Sequence, residues 1–235
     1  MKFYVFIDTS LSGVSLGFVS VSSLHKIVWS GFQHKKGDAD SGICQMLDQG
    51  LNHLGASNRD IEMIVVSHGP GSFTGIKVGL AWAYGFQSTR EQDLLLGVSS
   101  LEEGNNEIER EYNYSKTAVA FPISRREFFL SWKSENQAFF KTMSVFDPSA
   151  AADLQKLASV GYRYFLISPE AKTVEWFQDL NIQYEILPID RFLPIALQGM
   201  VHKVAGLDVG NLKKRLLTPQ YMKKTTVEEK LEIGH

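Results

Sequence analysis

One ordering of apolar runs occurs twice in this chain of 235 residues, and it leaves few folds open. Residues 2–7 (KFYVFI) read as a buried strand. An alternation through Val14, Leu16 and Phe18 reads as a second strand, and 25–32 (HKIVWSGF) as a third. Ile43, Met46, Leu47, Leu51 and Leu54 then recur at helical spacing over 39–54, with Gly55 as a natural stop. A strand at 61–66 (IEMIVV), a helix from about 75 to 88 and a strand at 94–98 (LLLGV) complete a β-β-β-α-β-α-β unit. The second half repeats the order. Strands fall at 117–122, 126–132 and 137–145, and a helix opens at Asp147-Pro148 and stops at Gly161. A strand at 163–167, a helix opened by Ser168-Pro169, a strand at 183–187 and a last helix over 193–205, stopped by Gly206, close the series.

Two such units predict an α/β protein of two similar halves, each a mixed sheet with helices packed on it. The first three strands of each half can be antiparallel neighbours. The later ones alternate with helices and are expected as parallel crossovers. This order is similar to the ribonuclease-H-like halves of the actin, sugar-kinase and Hsp70 (ASKHA) superfamily. The expected division is residues 1–103 as the first half and 104–206 as the second, whose last helix can pack back on the first. Residues 207–235 form a C-terminal segment, and its end (221–235, YMKKTTVEEKLEIGH) is charged without a sustained apolar face.

The glycine-rich stretch SHGPGSFTGIKVGLAWAYGF, residues 67–86, joins a strand to a helix. It is not a phosphate loop of either standard form. Five positions on from Gly69 stands Thr74, five on from Gly71 stands Ile76, and no Lys-Ser or Lys-Thr pair follows. Three uses remain open. Backbone N–H groups at a strand-helix junction can hold an anion. Pro70-Gly71 can make a turn, with Gly71 at positive φ and Ser72 or Thr74 capping the helix. Gly75, Gly79 and Ala83, spaced by four, form a ridge of small residues flanked by Ile76, Leu80 and Tyr84. Gly79 and Gly85 each cost a helix about 1 kcal/mol relative to Ala. Such residues are kept where backbone meets backbone, either within this chain or in another.

The net charge of −2, from 24 basic and 26 acidic residues, excludes a protein that grips nucleic acid by bulk charge. Cys44 is the only cysteine, so no intrachain disulfide forms; on the apolar side of its helix it reads as a core residue. Asp8 interrupts the first apolar run too early for a signal peptide, and no run approaches the ~20 residues that span a bilayer. The expectation is a soluble, cytoplasmic protein with no membrane association. No two of the histidines at 25, 34, 53, 68, 202 and 235 are four apart, so a helical metal pair is missing. No G-x-S-x-G hydrolase pattern surrounds Ser72. His68 reads as strand-end structure, and Asp8 as a cap on the turn that follows the first strand.

FIDTS at 6–10, HGPGSFTGIKVGLA at 68–81, LLGVSSLE at 95–102 and LTPQYMKK at 217–224 resemble the TsaB (YeaZ) family. That resemblance implies an actin-like duplicated fold and no catalytic or metal-binding residues. It implies a scaffold role in making threonylcarbamoyladenosine at adenosine 37 of ANN-decoding tRNAs. The implied partners are a TsaD-like transferase, paired through helices of the first half, and a TsaE-like ATPase. A homodimer in isolation and only indirect contact with tRNA are also implied. No cofactor of its own is expected, with ATP or ADP only in the assembled complex. The implied pairing residues are Ser41, Met46, Gly50 and His53 on the 39–54 helix, and Gly75, Ile76, Gly79, Leu80, Ala83 and Tyr84 on the glycine-rich helix. Asp8, Thr9, Ser10, Gly71 and Ser72 stand where a nucleotide or anion would be held. The chain departs from the family at Asp40-Ser41-Gly42, at Lys77, at Tyr84, and at Ile123-Ser124-Arg125, where an Asp-Ala-Arg segment is usual. The rival reading is an ATP-dependent small-molecule kinase of the same superfamily.

Overall fold

The computed structural model describes residues 1–207 except 12, 25, 34–38, 90–93 and 136. His25, His34 and the motif at 217–224 therefore lie outside the described residues, as does nearly all of the C-terminal segment. In the first half β1 (Phe3–Asp8), β2 (Val14–Ser20) and β3 (Ile27–Gln33) precede α1 (Ala39–Leu54), β4 (Ile61–Ser67), α2 (Phe73–Ser88) and β5 (Leu94–Val98). Then α3 (Ser100–Tyr112) leads into β6 (Thr117–Pro122), β7 (Glu127–Ser134) and β8 (Gln137–Ser144). The chain ends with α4 (Pro148–Ser159), β9 (Arg163–Ile167), α5 (Ala171–Asp179), β10 (Tyr184–Leu187) and α6 (Ile189–Ala205).

The sheets have the same plan. The first is ordered β3-β2-β1-β4-β5, and the second β8-β7-β6-β9-β10. In each, the first three strands are antiparallel neighbours and the last two run parallel to the central first strand. This is the duplicated ribonuclease-H-like architecture of actin-like proteins.

Strand alternation explains how the layers stack. Phe3, Val5 and Ile7 of β1 face a core shared with Ile43, Met46 and Leu47 of α1 and Ile76, Leu80 and Ala83 of α2. Tyr4 and Phe6 face the opposite side, where Leu197, Met200, Val201 and Val204 of α6 pack. Each such fully buried side chain stabilises the fold by about 1.5–3 kcal/mol. Helix α6 continues onto the second sheet, joining Leu101 and Ile108 of α3 over Val119, Phe121, Phe165 and Ile167. Helices α4 and α5 cover the far face of that sheet through Leu154 and Phe177. Because each sheet is covered on both faces, its central strands read as continuous apolar runs.

Helices α3 and α6 bind the halves together at backbone contact. A β-carbon on Gly199 would overlap the Glu103 carbonyl, and one on Gly104 would press on the Phe192 ring. The buried Glu103 carboxylate accepts from Asn106 (3.0 Å) and faces the Lys203 ammonium at 3.4 Å. Helix α3 has no counterpart in the sequence reading. Its buried face carries Ser100, Glu103, Gly104, Asn105 and Glu107 beside only two large apolar residues, Leu101 and Ile108, so the apolar periodicity is thin where it would be sought. The readable signal was the Ser99-x-x-Glu102 start; Ser99 caps the helix by accepting from the Glu102 N–H (3.2 Å).

Two helix starts differ from the sequence expectation. Ser168 does not cap α5, which begins after Glu170. Ser168 instead takes a positive φ of 38°, and its hydroxyl accepts from the Ile189 N–H (2.8 Å), serving the first turn of α6. Helix α6 starts at Ile189 rather than at 193, with Pro194 inside the helix.

Candidate functional site

The glycine-rich stretch folds as a strand-to-helix turn beneath which the first loop of the chain is sealed. At the end of β4 the His68 N–H donates to the Val98 carbonyl (3.0 Å). Burial lowers the pKa of the His68 imidazole. Gly69 takes φ +104°, and the Gly69–Pro70 peptide is cis. Ser72 is the N-cap of α2, accepting from the Gly75 N–H (3.2 Å), while its own N–H donates to the Ser10 carbonyl (2.6 Å). The left-handed residue of the turn is thus Gly69, not Gly71. Gly71 is small for another reason: a β-carbon there would overlap the Ser10 carbonyl.

The loop after β1 is closed. Asp8 is 4% exposed, Thr9 3% and Ser10 0%. Asp8 Oδ1 accepts from the Ser10 N–H (2.7 Å) and from the Ser10 hydroxyl (2.6 Å). Ser10 Oγ in turn lies 2.9 Å from Ser67 Oγ and 3.2 Å from Ser100 Oγ, which are 3.0 Å from each other. Burial raises the Asp8 pKa, and the hydrogen bonds from Ser10, Ser100 and Ser67 oppose that shift. The Thr9 hydroxyl donates to the Gly75 carbonyl (2.7 Å). These groups satisfy one another inside the protein, as buried polar groups must. Asp8, Thr9 and Ser10 are thus buried side chains bonded within the chain, and Asp8 does not line an open cleft. Ser72 is exposed, yet both its hydroxyl and its N–H are engaged with this chain.

The same closure turns the small-residue ridge inward. A β-carbon on Gly75 would overlap the Thr9 carbonyl, and one on Gly79 would overlap the Thr9 hydroxyl oxygen. Ile76, Leu80 and Ala83 are core residues beside them. On α1, Met46 is buried and a β-carbon on Gly50 would run into the Phe18 ring. Met46, Gly50, Gly75, Ile76, Gly79, Leu80 and Ala83 are thus buried within the chain's own fold. The physical reason is that the first loop fills the groove the ridge offers. His53 is exposed at the end of α1, Tyr84 is half-buried, and Ser41 lies in α1. Cys44 is exposed on α1, not in the core.

What faces outward on α2 is the strip Lys77, Ala81 and Gly85; Val78, Trp82 and Phe86 beside it are half-buried against the core, with Trp82 stacked on Phe86 at 5.2 Å. Ala81 and Gly85 are fully on the exposed side, and nothing lies within 4 Å of where a Gly85 β-carbon would stand. Gly85 therefore bears its helical cost with no packing reason inside this chain. Beside it α1 exposes Gln45, Asp48, Gln49, Asn52 and His53. The four-residue spacing of Ala81 and Gly85 was the sequence signal for this strip, masked by the stronger Gly75–Gly79–Ala83 series. Among the described residues no group of three or more His, Cys, Asp or Glu gathers to hold a metal. Nor is any helix there long and apolar enough to cross a membrane.

Comparison with known proteins places this geometry. Residues 40–127 match the family model of TsaD, tRNA N6-adenosine threonylcarbamoyltransferase. A search of curated protein sequences finds no match. Among solved structures, the chain is similar to an uncharacterized protein with similarity to peptidase YEAZ from Pseudomonas aeruginosa. The two are 14% identical, with 93% of this chain and 100% of that one covered at a TM-score of 0.58. It is also similar to YeaZ from Pseudomonas aeruginosa at 16% identity, with 87% of this chain and 93% of that one covered at a TM-score of 0.55. The fold is that of the YeaZ structures, in agreement with the resemblance carried by residues 6–10, 68–81 and 95–102.

Proposed function

We propose that this chain is a TsaB-like, non-catalytic subunit for the synthesis of threonylcarbamoyladenosine in tRNA. In this reading it docks a TsaD-like transferase on the outer strip of α2 and the adjoining face of α1. The observation that carries the proposal is Gly85. A glycine on the exposed face of a packed helix, with open space around it and Ala81 one turn away, suits the close approach of a second backbone. The match to the TsaD family spans α1 and α2, so a TsaD-like partner would bring helices of the same kind to the contact. The sealed loop at Asp8–Ser10 supports the non-catalytic part, because the groups a nucleotide-using relative would turn to its ligand are consumed in packing α2. A second copy of the chain would compete for the same strip, and a TsaE-like ATPase would complete the active mixture.

The test replaces Gly85 by Trp, and separately Ala81 by Arg. Both positions are exposed, so the fold should survive, as thermal melting would show. Co-purification with a TsaD-like partner should be lost, and threonylcarbamoyl transfer to tRNA in a mixture with transferase and ATPase should fall to the level seen without this chain. Undiminished pairing by both folded variants would overturn the docking claim.

A further inference from the structure

The two halves share a topology but treat equivalent edges differently. The loop after β1 is buried under α2, whereas its counterpart after β6, Ile123–Arg126, leaves Ser124, Arg125 and Arg126 exposed. In open α/β sheets, ligands gather outside the carboxyl ends of the parallel strands. Three further elements meet at that edge of the second sheet. Strand β8 runs parallel to β6 and delivers Phe146 just beyond its end, while β9 leads into α5, whose first turn carries the exposed Lys172.

Phe146 is 60% exposed and belongs to none of the hydrophobic cores. Its position is nonetheless fixed. The Val145 N–H donates to the Arg126 carbonyl (3.0 Å), and the Arg126 N–H donates to the Ser124 hydroxyl (3.3 Å). The Arg126 guanidinium carbon stands 4.9 Å from the ring centroid, and the Lys172 ammonium stands 5.9 Å from it. Three carboxylates lie on the same edge. Glu127 accepts from the Ser124 hydroxyl (3.2 Å), Asp147 accepts from the Ser149 N–H (2.9 Å) at the start of α4, and Glu170 precedes α5. Glu127 and Asp147 thus accept from the protein's own groups, while Arg126 and Lys172 lie over the ring.

An exposed ring with a guanidinium and an ammonium lying over it suits a ligand that brings flat rings and negative charge alternately along a chain. We propose that this edge binds a single-stranded stretch of RNA, one base stacking on Phe146 and the neighbouring phosphates meeting Arg125, Arg126 and Lys172. The inference takes its biological RNA, a tRNA loop, from the function proposed above, but the contact can be tested without a partner protein. With so few contacts and a near-neutral chain, the isolated protein should bind weakly, in the range of about 1–100 μM, and lose affinity as salt rises.

The experiment is fluorescence anisotropy of the full chain with a labelled single-stranded RNA of about 12 nucleotides, across a salt series. Phe146→Ala should weaken binding by about 5- to 150-fold, and Phe146→Trp should retain it. Arg125→Gln and Arg126→Gln should each reduce the slope of log affinity against log salt by about 0.7. All three positions are exposed, and melting curves would confirm that the variants fold. Affinity that is indifferent to these variants would overturn the proposal. So would equal binding of duplex RNA, or full competition by a mononucleotide at the same concentration of nucleotide. Pairing with a TsaD-like protein should be unaffected by the Phe146 variants. Loss of RNA binding with pairing intact, or the reverse in Gly85→Trp, therefore separates a failure of this inference from a failure of the docking proposal.

Discussion

Helix α2 offers one substitution that should act with opposite signs at two glycines. At Gly85 an added methyl meets nothing within 4 Å, so Gly85→Ala gains helix propensity alone, about 1 kcal/mol. At Gly79 the same methyl overlaps the Thr9 hydroxyl oxygen, which is held by its hydrogen bond to the Gly75 carbonyl. Overpacking costs about 1–3 kcal/mol and the disturbed hydrogen bond about 1, against the same propensity gain of about 1. Gly79→Ala should therefore destabilise by about 1–3 kcal/mol net. Since 1 kcal/mol moves the midpoint of a domain of this size by about 2–4 °C, the two variants should melt on opposite sides of the wild type. Urea titrations give the free energies directly. Removing the obstacle should recover part of the loss: Thr9→Ala and Gly79→Ala together should cost less than the sum of the two, by at least about 0.5 kcal/mol. If Gly79→Ala proves as stabilising as Gly85→Ala, with no coupling to Thr9, then the ridge does not pack on the first loop. The inward assignment of Gly75 and Gly79 would then fail.

Two further outcomes are expected. Burial raises the Asp8 pKa above its ordinary 3.8, so the folded state holds that proton more tightly than the unfolded chain. The stability this group contributes is complete below about pH 3.8 and is lost as pH rises through the higher folded value; wild type minus Asp8→Asn, measured by urea unfolding from about pH 3 to 7, should therefore decline with pH, and a flat difference would refute a buried Asp8. Gly199→Ala should destabilise by about 1–3 kcal/mol or more, since the obstructing atom is the Glu103 main chain, which cannot swing aside; an unchanged melting midpoint would mean that α3 and α6 do not meet at backbone contact.

Much of the architecture was legible because its signals are local. Asp147 and Pro148 open α4 where the sequence places its start, and Gly55 at φ +59° and Gly161 at φ +93° stand just past helix ends in the left-handed region. Strands covered on both faces announce themselves as apolar runs, so the repeated order of elements, and with it the duplicated fold, could be read directly. Helix α3 escaped because its inner face carries only Leu101 and Ile108 as large apolar residues: Glu103, Gly104 and Asn105 are interior residues only because α6 and β6 supply Lys203, the Phe192 ring and Thr117.

The composition of α2 fixed that some backbone must come close to it, but not on which side or from which molecule. A helix with small residues at 75, 79 and 83 and again at 81 and 85 has two faces that satisfy the same spacing. Thr9 and Ser10, more than sixty positions earlier in the chain, occupy the first face, with the Thr9 hydroxyl on the Gly75 carbonyl and the Ser10 carbonyl on the Ser72 N–H. Periodicity is a property of one helix, whereas burial is a property of what lies against it. The sequence by itself therefore determined the elements and their order, and only tertiary packing decided that the longer glycine series closes the interior while Ala81 and Gly85 are left facing out.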